Sequence, residues 1–246
     1  MFDFDGTLVL MRAGWMPLML DMMMETLAPL GDDVVALRGA AEEYVARYTG
    51  KDTVEQMQAF AEHVRALGGR PRSAIDYKAE FLERIDGERQ RRVDALSAGS
   101  IGCDDLLVPG SRDLLEGLRS AGVRIFLASG TAHEVVCAEA ELLQIEGYFE
   151  GIYGSAPSSF SKRGLLEMLV RSGVRPEEIL SFGDGQVEIG DTKAVGGTAV
   201  GVASDEPDCL GVDPKKRVWL TAAGADYIIP HYHVEGLLRV VAGIGA

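Results

Sequence analysis

From about Val108 onward, short apolar runs alternate with stretches of helical periodicity. The pattern predicts a helix over residues 111–120, a strand over 123–128, a helix over 133–143 and a short strand at 151–153. A helix over 162–171 and strands at 179–182, 199–202 and 226–229 complete the series. Such alternation calls for an α/β fold, a Rossmann-like, doubly wound parallel sheet with helices on both faces and its site at the carboxyl ends of the strands. Residues 12–107 read differently, as helices over 15–27, 34–48, 53–67 and 73–85, with a continuation over 88–96. They are expected to form a helical lobe inserted into a core made of residues 1–11 and 108–246. Met16, Met19 and Met23 share one helix face, which reads as core packing. Thr53 and Gln56 read as a capping box for the third helix.

Composition narrows the partners. A net charge of −14, from 24 basic and 38 acidic residues, argues against a general surface for nucleic acid or anionic membrane. The apolar stretch from Trp15 to Leu30 is interrupted by Pro17, Asp21, Glu25 and Pro29, so neither a membrane span nor a signal peptide is expected. Cys103, Cys137 and Cys209 are odd in number and widely spaced, which suits a reducing cytoplasm better than a disulfide framework or a zinc site. Only Met1 and Phe2 precede Asp3, fewer than the roughly 5 to 6 residues of an ordinary strand, so the native start is expected to lie further upstream.

Candidate chemistry begins at Asp3-Phe4-Asp5-Gly6-Thr7-Leu8, where two carboxylates one residue apart run into a Gly-Thr turn. Side chains alternate along a strand, so Asp3 and Asp5 share a side: one can attack while its neighbour handles a proton. Further stations follow apolar segments in order: Ser129 after Val123–Ala128, Lys162 in Ser161-Lys162-Arg163-Gly164, and Gly183-Asp184-Gly185-Gln186-Val187-Glu188 after Ile179–Phe182. With these four motifs the chain resembles the haloacid dehalogenase-like superfamily of phosphotransferases. The lobe's place between the first two motifs resembles the helical cap of one of its subgroups.

The resemblance implies a phosphohydrolase that works through an aspartyl phosphate on a small phosphate ester, with a sugar or polyol phosphate as the preferred substrate class. Asp3 would attack phosphorus, and Asp5 would protonate the leaving oxygen and then help deprotonate water. Ser129 would hydrogen-bond a phosphoryl oxygen, assisted by the N–H groups of Gly130 and Thr131 at the start of the next helix. Lys162 would neutralise the phosphoryl group and Asp3. A carboxylate meets a phosphate dianion only with countercharge between them, so Mg2+ is expected, on Asp3, Asp184 and the backbone carbonyl of Asp5. Glu188 stands where the superfamily pattern has an Asp and takes a supporting place in the metal shell. Lys51 and His133 are further candidates for substrate contact, whereas His231 and His233 lack the partners of a metal site. The alternatives are a phosphomutase of the β-phosphoglucomutase kind, which returns the phosphoryl group to a second hydroxyl, and a silent binding or regulatory module that keeps only the fold.

Overall fold

The computed structural model describes residues 1–48, 52–155 and 161–243. Four helices come first: α1 (Trp15–Leu27), α2 (Val34–Tyr48), α3 (Thr53–Ala66) and α4 (Ala74–Ser97). The remainder alternates as α5 (Ser111–Ser120), β1 (Phe126–Ala132), α6 (His133–Leu142), β2 (Gly151–Ser155), α7 (Lys162–Arg171), β3 (Leu180–Gly183) and α8 (Gln186–Val195). It closes with β4 (Thr198–Val202), α9 (Pro214–Ala222), β5 (Tyr227–Ile229) and α10 (Leu237–Ala242). Among the described residues the named strands pair in parallel: β1 with β2, β3 with β4, and β4 with β5.

Phe2 joins the two halves. It pairs in parallel with Leu127 of β1 on one side and with Phe182 of β3 on the other. Its N–H donates to Phe126 O at 2.8 Å and its carbonyl accepts from Ala128 N at 2.9 Å. Its ring stacks on Phe182 at 4.6 Å, and Tyr232 closes edge-on against both. Alternation along β1 sends Leu127 into the cluster of Phe2, Phe4, Phe182 and Val200, and sends Phe126 and Ala128 into another with Leu165, Leu166 and Leu169 of α7. Both faces of the sheet are therefore covered, as the apolar runs of its strands require.

The helical lobe has its own apolar interior, in which Met19, Met23 and Leu27 of α1 meet Met57 and Phe60 of α3 and Tyr77 and Phe81 of α4. The chain enters and leaves the lobe side by side. Val9 pairs antiparallel with Leu107, Leu10 N donates to Leu106 O at 2.8 Å, and Val108 N donates to Leu8 O at 2.9 Å. Among the described residues no helix is long and apolar enough to cross a membrane.

Some local expectations change. The helix expected over 73–85 runs on without a break through Gly87 into its continuation, as Ala74–Ser97 with Ser73 as its N-cap, because Tyr77, Phe81 and Ile85 form a continuous buried face and the cost of one helical glycine is only about 1 kcal/mol. The cap of α3 is Asp52, whose Oδ1 accepts from Val54 N at 2.8 Å, and Thr53 is the first helical residue. Strand β1 starts later and ends later than the apolar run. Val123 completes the turn after α5, its N–H on Leu118 O, and Arg124 pairs with Glu150 at the surface. Phe2→Ala is expected to lower the unfolding free energy by about 3–5 kcal/mol in urea titration. A loss under about 1 kcal/mol would show that the sheet does not rely on this ring.

Candidate active site

The carboxyl ends of the central strands converge on one cavity of about 650 Å³ between core and lobe. Asp3 follows Phe2, and its N–H continues the ladder onto Phe182 O at 3.0 Å. Asp184 follows the last residue of β3. Between them lies the turn at Gly6, whose φ is +70°. A Cβ there would fall 2.3 Å from Asp184 Oδ2, so this position requires glycine both for its conformation and for the close approach.

Lys162, the first residue of α7, is buried rather than solvated. Ser161 caps the helix, its Oγ accepting from Gly164 N at 2.9 Å, and this start aims the lysine inward. Its Nζ donates to Asp3 Oδ1 at 2.7 Å and to Glu188 Oε2 at 3.2 Å. The other oxygen of Glu188 accepts from Gly185 N at 2.9 Å, which anchors it at the start of α8. Asp3, Asp184 and Glu188 each present an oxygen within 4.8 Å of the others.

Asp5 is oriented from two directions. Arg12 Nη1 donates to its Oδ1 at 2.7 Å and Thr131 Oγ1 to its Oδ2 at 2.8 Å. Arg12 is itself held by two hydrogen bonds of 2.8 Å to Glu139, a carboxylate only 1% exposed on α6. Arg89 of α4 reaches the same Glu139, so one buried carboxylate ties the lobe to the core beside Asp5.

Ser129 and Gly130 line the cavity, but not as a helix start. The pairing of β1 with β2 shifts register between Ala128 and Ala132, and the irregularity carries Ser129, Gly130 and Thr131. Ala132 is still extended (ψ 137°), so α6 begins only at His133. Thr131 N donates to Ser129 Oγ at 3.0 Å and fixes that hydroxyl. His133 is exposed, with its ring against Cys137, and is not part of the cavity lining. Lys51 lies outside the described residues.

Arg12, Glu139, Glu206 and Lys216 were not singled out by the sequence motifs. Lys216 of α9 donates to Asp184 Oδ2 at 3.2 Å and to Glu206. The one available signal was Arg12, a single charge closing an apolar run from Leu8 to Met11.

The electrostatics follow from burial. It pushes the Asp3 carboxyl well above its ordinary range; Lys162 opposes the shift, and Glu188 and Asp184 add to it. Burial likewise pushes Asp184 up to about 6 against the pull of Lys216, with Glu206 and Glu188 adding to the rise. For Lys162 burial acts downward, but Asp3 and Glu188 outweigh it and hold the ammonium charged. Counted by formal charge, with every group ionised, the four buried carboxylates Asp3, Asp184, Glu188 and Glu206 face two buried lysines and leave two negative charges in excess. Hard carboxylate oxygens with that excess fit one divalent cation.

The far side of the cavity belongs to the lobe, with Trp15, Met19, Phe81 and Ile85 beside Gln56 and Arg89. Gln56 is buried, and among the described residues its Nε2 has no hydrogen-bond partner.

A phosphoglycolate phosphatase of Salmonella typhimurium is 28% identical over 230 residues, spanning 85% of this chain and 86% of that protein. The crystal structure of a predicted phosphoglycolate phosphatase from Haemophilus somnus shares the fold with a TM-score of 0.59 at 17% identity, covering 97% of this chain and 95% of that one. A β-phosphoglucomutase from Clostridium difficile does so with a TM-score of 0.58 at 13% identity, covering 97% and 94%. Residues 1–196 match the family described as haloacid dehalogenase-like hydrolase, and the chain belongs to that family.

Proposed function

We propose that this hydrolase is a magnesium-dependent phosphohydrolase that cleaves a small phosphorylated metabolite through an aspartyl phosphate on Asp3. The observation that carries the reading is the pairing of Asp3, held by Lys162, with Asp5, held by Arg12 and Thr131, at one end of a single cavity. A carboxylate fixed on a buried ammonium is a positioned nucleophile, and a second one fixed two residues on is a positioned acid and base.

Asp3 attacks phosphorus, and the bond to the leaving oxygen breaks as Asp5 gives that oxygen a proton. Water then attacks the phosphoryl group on Asp3, Asp5 takes the water's proton, and phosphate leaves with Asp3 restored. Ser129 Oγ and the Lys162 ammonium hold the phosphoryl oxygens throughout. Asp3, Asp184 and the carbonyl of Asp5 are the residues that would hold Mg2+, with Glu188 in support. When bound, the ion offsets the repulsion between Asp3 and the phosphate dianion.

The helical lobe, residues 12–107, acts as a cap over the core of residues 1–11 and 108–246, and its lining selects the rest of the substrate. Aromatic and apolar faces beside Gln56 and Arg89 suit a sugar or polyol, with carbon faces on one side and oxygen acceptors on the other. The phosphoglycolate phosphatase relative makes a short phosphorylated acid the main competitor within the same chemistry.

Phosphate release should be measured across sugar, polyol, nucleotide and small-acid phosphates, with Mg2+ or EDTA. Release that needs Mg2+, ranks sugar or polyol phosphates first and falls at least about 1,000-fold in Asp3→Asn is expected. A folded wild type that releases nothing from any ester, or an undiminished Asp3→Asn, would refute the reading, and isomerisation without release would identify a mutase. Lys162→Met strands Asp3 and Glu188 without their shared ammonium. It is expected to cost about 3–5 kcal/mol in urea unfolding under EDTA and at least about a hundredfold in turnover. Unchanged stability and turnover would contradict the role given to Lys162.

A further inference from the structure

Lys216 and Glu206 lie outside the four motifs, Lys216 in the first turn of α9 and Glu206 on the connection between β4 and α9. Both side chains are nonetheless buried, at 6% and 8% exposure. Asp213 fixes the turn that carries the lysine, its Oδ1 accepting from Lys215 N at 2.7 Å and Lys216 N at 2.9 Å. The ammonium spans Asp184 Oδ2 and Glu206, as Lys162 spans Asp3 and Glu188 across the site. Both acids also press on the turn after Asp5: a Cβ at Gly6 would meet Asp184 Oδ2 at 2.3 Å and Glu206 Oε1 at 3.0 Å.

We propose that Lys216, with Glu206 as its second partner, is the positioning residue that sets the charge of the cation site. The inference rests on the magnesium reading above. Lys216 engages one oxygen of Asp184 and occupies Glu206, which lies outside the triad of Asp3, Asp184 and Glu188. With the lysine in place the buried excess is two negative charges, matched to one divalent ion. Without it the excess would be three, and the site would hold cations more tightly and favour those of higher charge.

A brace that only shapes Asp184 would fail in the same direction whichever partner was removed. A charge-setting pair fails in opposite directions. Calorimetric titration of Mg2+ into the EDTA-stripped, full-length protein therefore decides the matter. Lys216→Met is expected to bind Mg2+ at least about tenfold more tightly and Glu206→Gln about tenfold more weakly, with Lys216→Arg within about threefold of wild type. Tb3+ followed by luminescence should gain more than Mg2+ does in Lys216→Met. Weakening in both Lys216→Met and Glu206→Gln, or no change in either, would overturn the proposal. If Lys216→Met does not fold by circular dichroism, Glu206→Gln and Lys216→Arg decide it, and wild-type affinity in Glu206→Gln overturns it. Wild type that binds no Mg2+ would refute the metal reading as well, whereas binding without divergence of the variants refutes only the role of Lys216.

Discussion

The two halves of the sheet meet through the segment Met1–Asp3, centred on Phe2. The Phe2 backbone is bonded on one side to Phe126 and Ala128, while Met1 and Asp3 bond Phe182 on the other, and its ring is stacked on Phe182. A residue locked by both neighbours cannot shift without breaking two ladders, and Asp3 is the next atom group along the chain. Catalytic groups need support that holds them to within about half an ångström, and rigid strands supply it better than loops do. The same core anchors the turn that follows, because Tyr232, packed on both rings, donates to the carbonyl of Thr7 at 3.0 Å.

What the sheet positions is an uncomfortable charge distribution. Carboxylates held out of water against too few lysines are under electrostatic stress, which is why Asp3 and Asp184 both rise above their ordinary range. On the proposed reading, a cation entering such a site would relieve that stress and stabilise the fold, so burial that costs stability without the ion would favour its binding. Glu139 shows the opposite solution. It is almost wholly buried and is answered by two guanidiniums, Arg12 at the start of the lobe and Arg89 on α4.

The alternation of strands and helices was legible because each element buries one face, and the period of that face is written in the chain. The bounds of α1 and α2 follow from it directly. Asp3, Asp5, Ser129, Lys162 and Asp184 could be singled out because they stand, in order, in motifs that resemble those of the superfamily, and the fold brings them to one cavity. The local geometry was not legible where pairing between distant strands decides it. The register shift in β1 sets Ser129, Gly130 and Thr131, and nothing in their own sequence records it. Arg12 and Glu139 meet across 127 positions, and Lys216 and Asp184 across 32. Their partners are set by the fold, not by spacing, so the local sequence names no partner for the lysine or the arginine.

The most direct test of Asp3 as the nucleophile is to look for the phosphoryl group on it. Enzyme mixed with the best ester and Mg2+ is quenched in acid during turnover, digested and mapped by mass spectrometry, with Asp5→Asn alongside to slow breakdown of the intermediate. A phosphoryl adduct on the peptide that carries Asp3, more abundant in Asp5→Asn, is the expected result. Full phosphate release with no adduct in either protein, or an adduct on another residue, would contradict the role of Asp3.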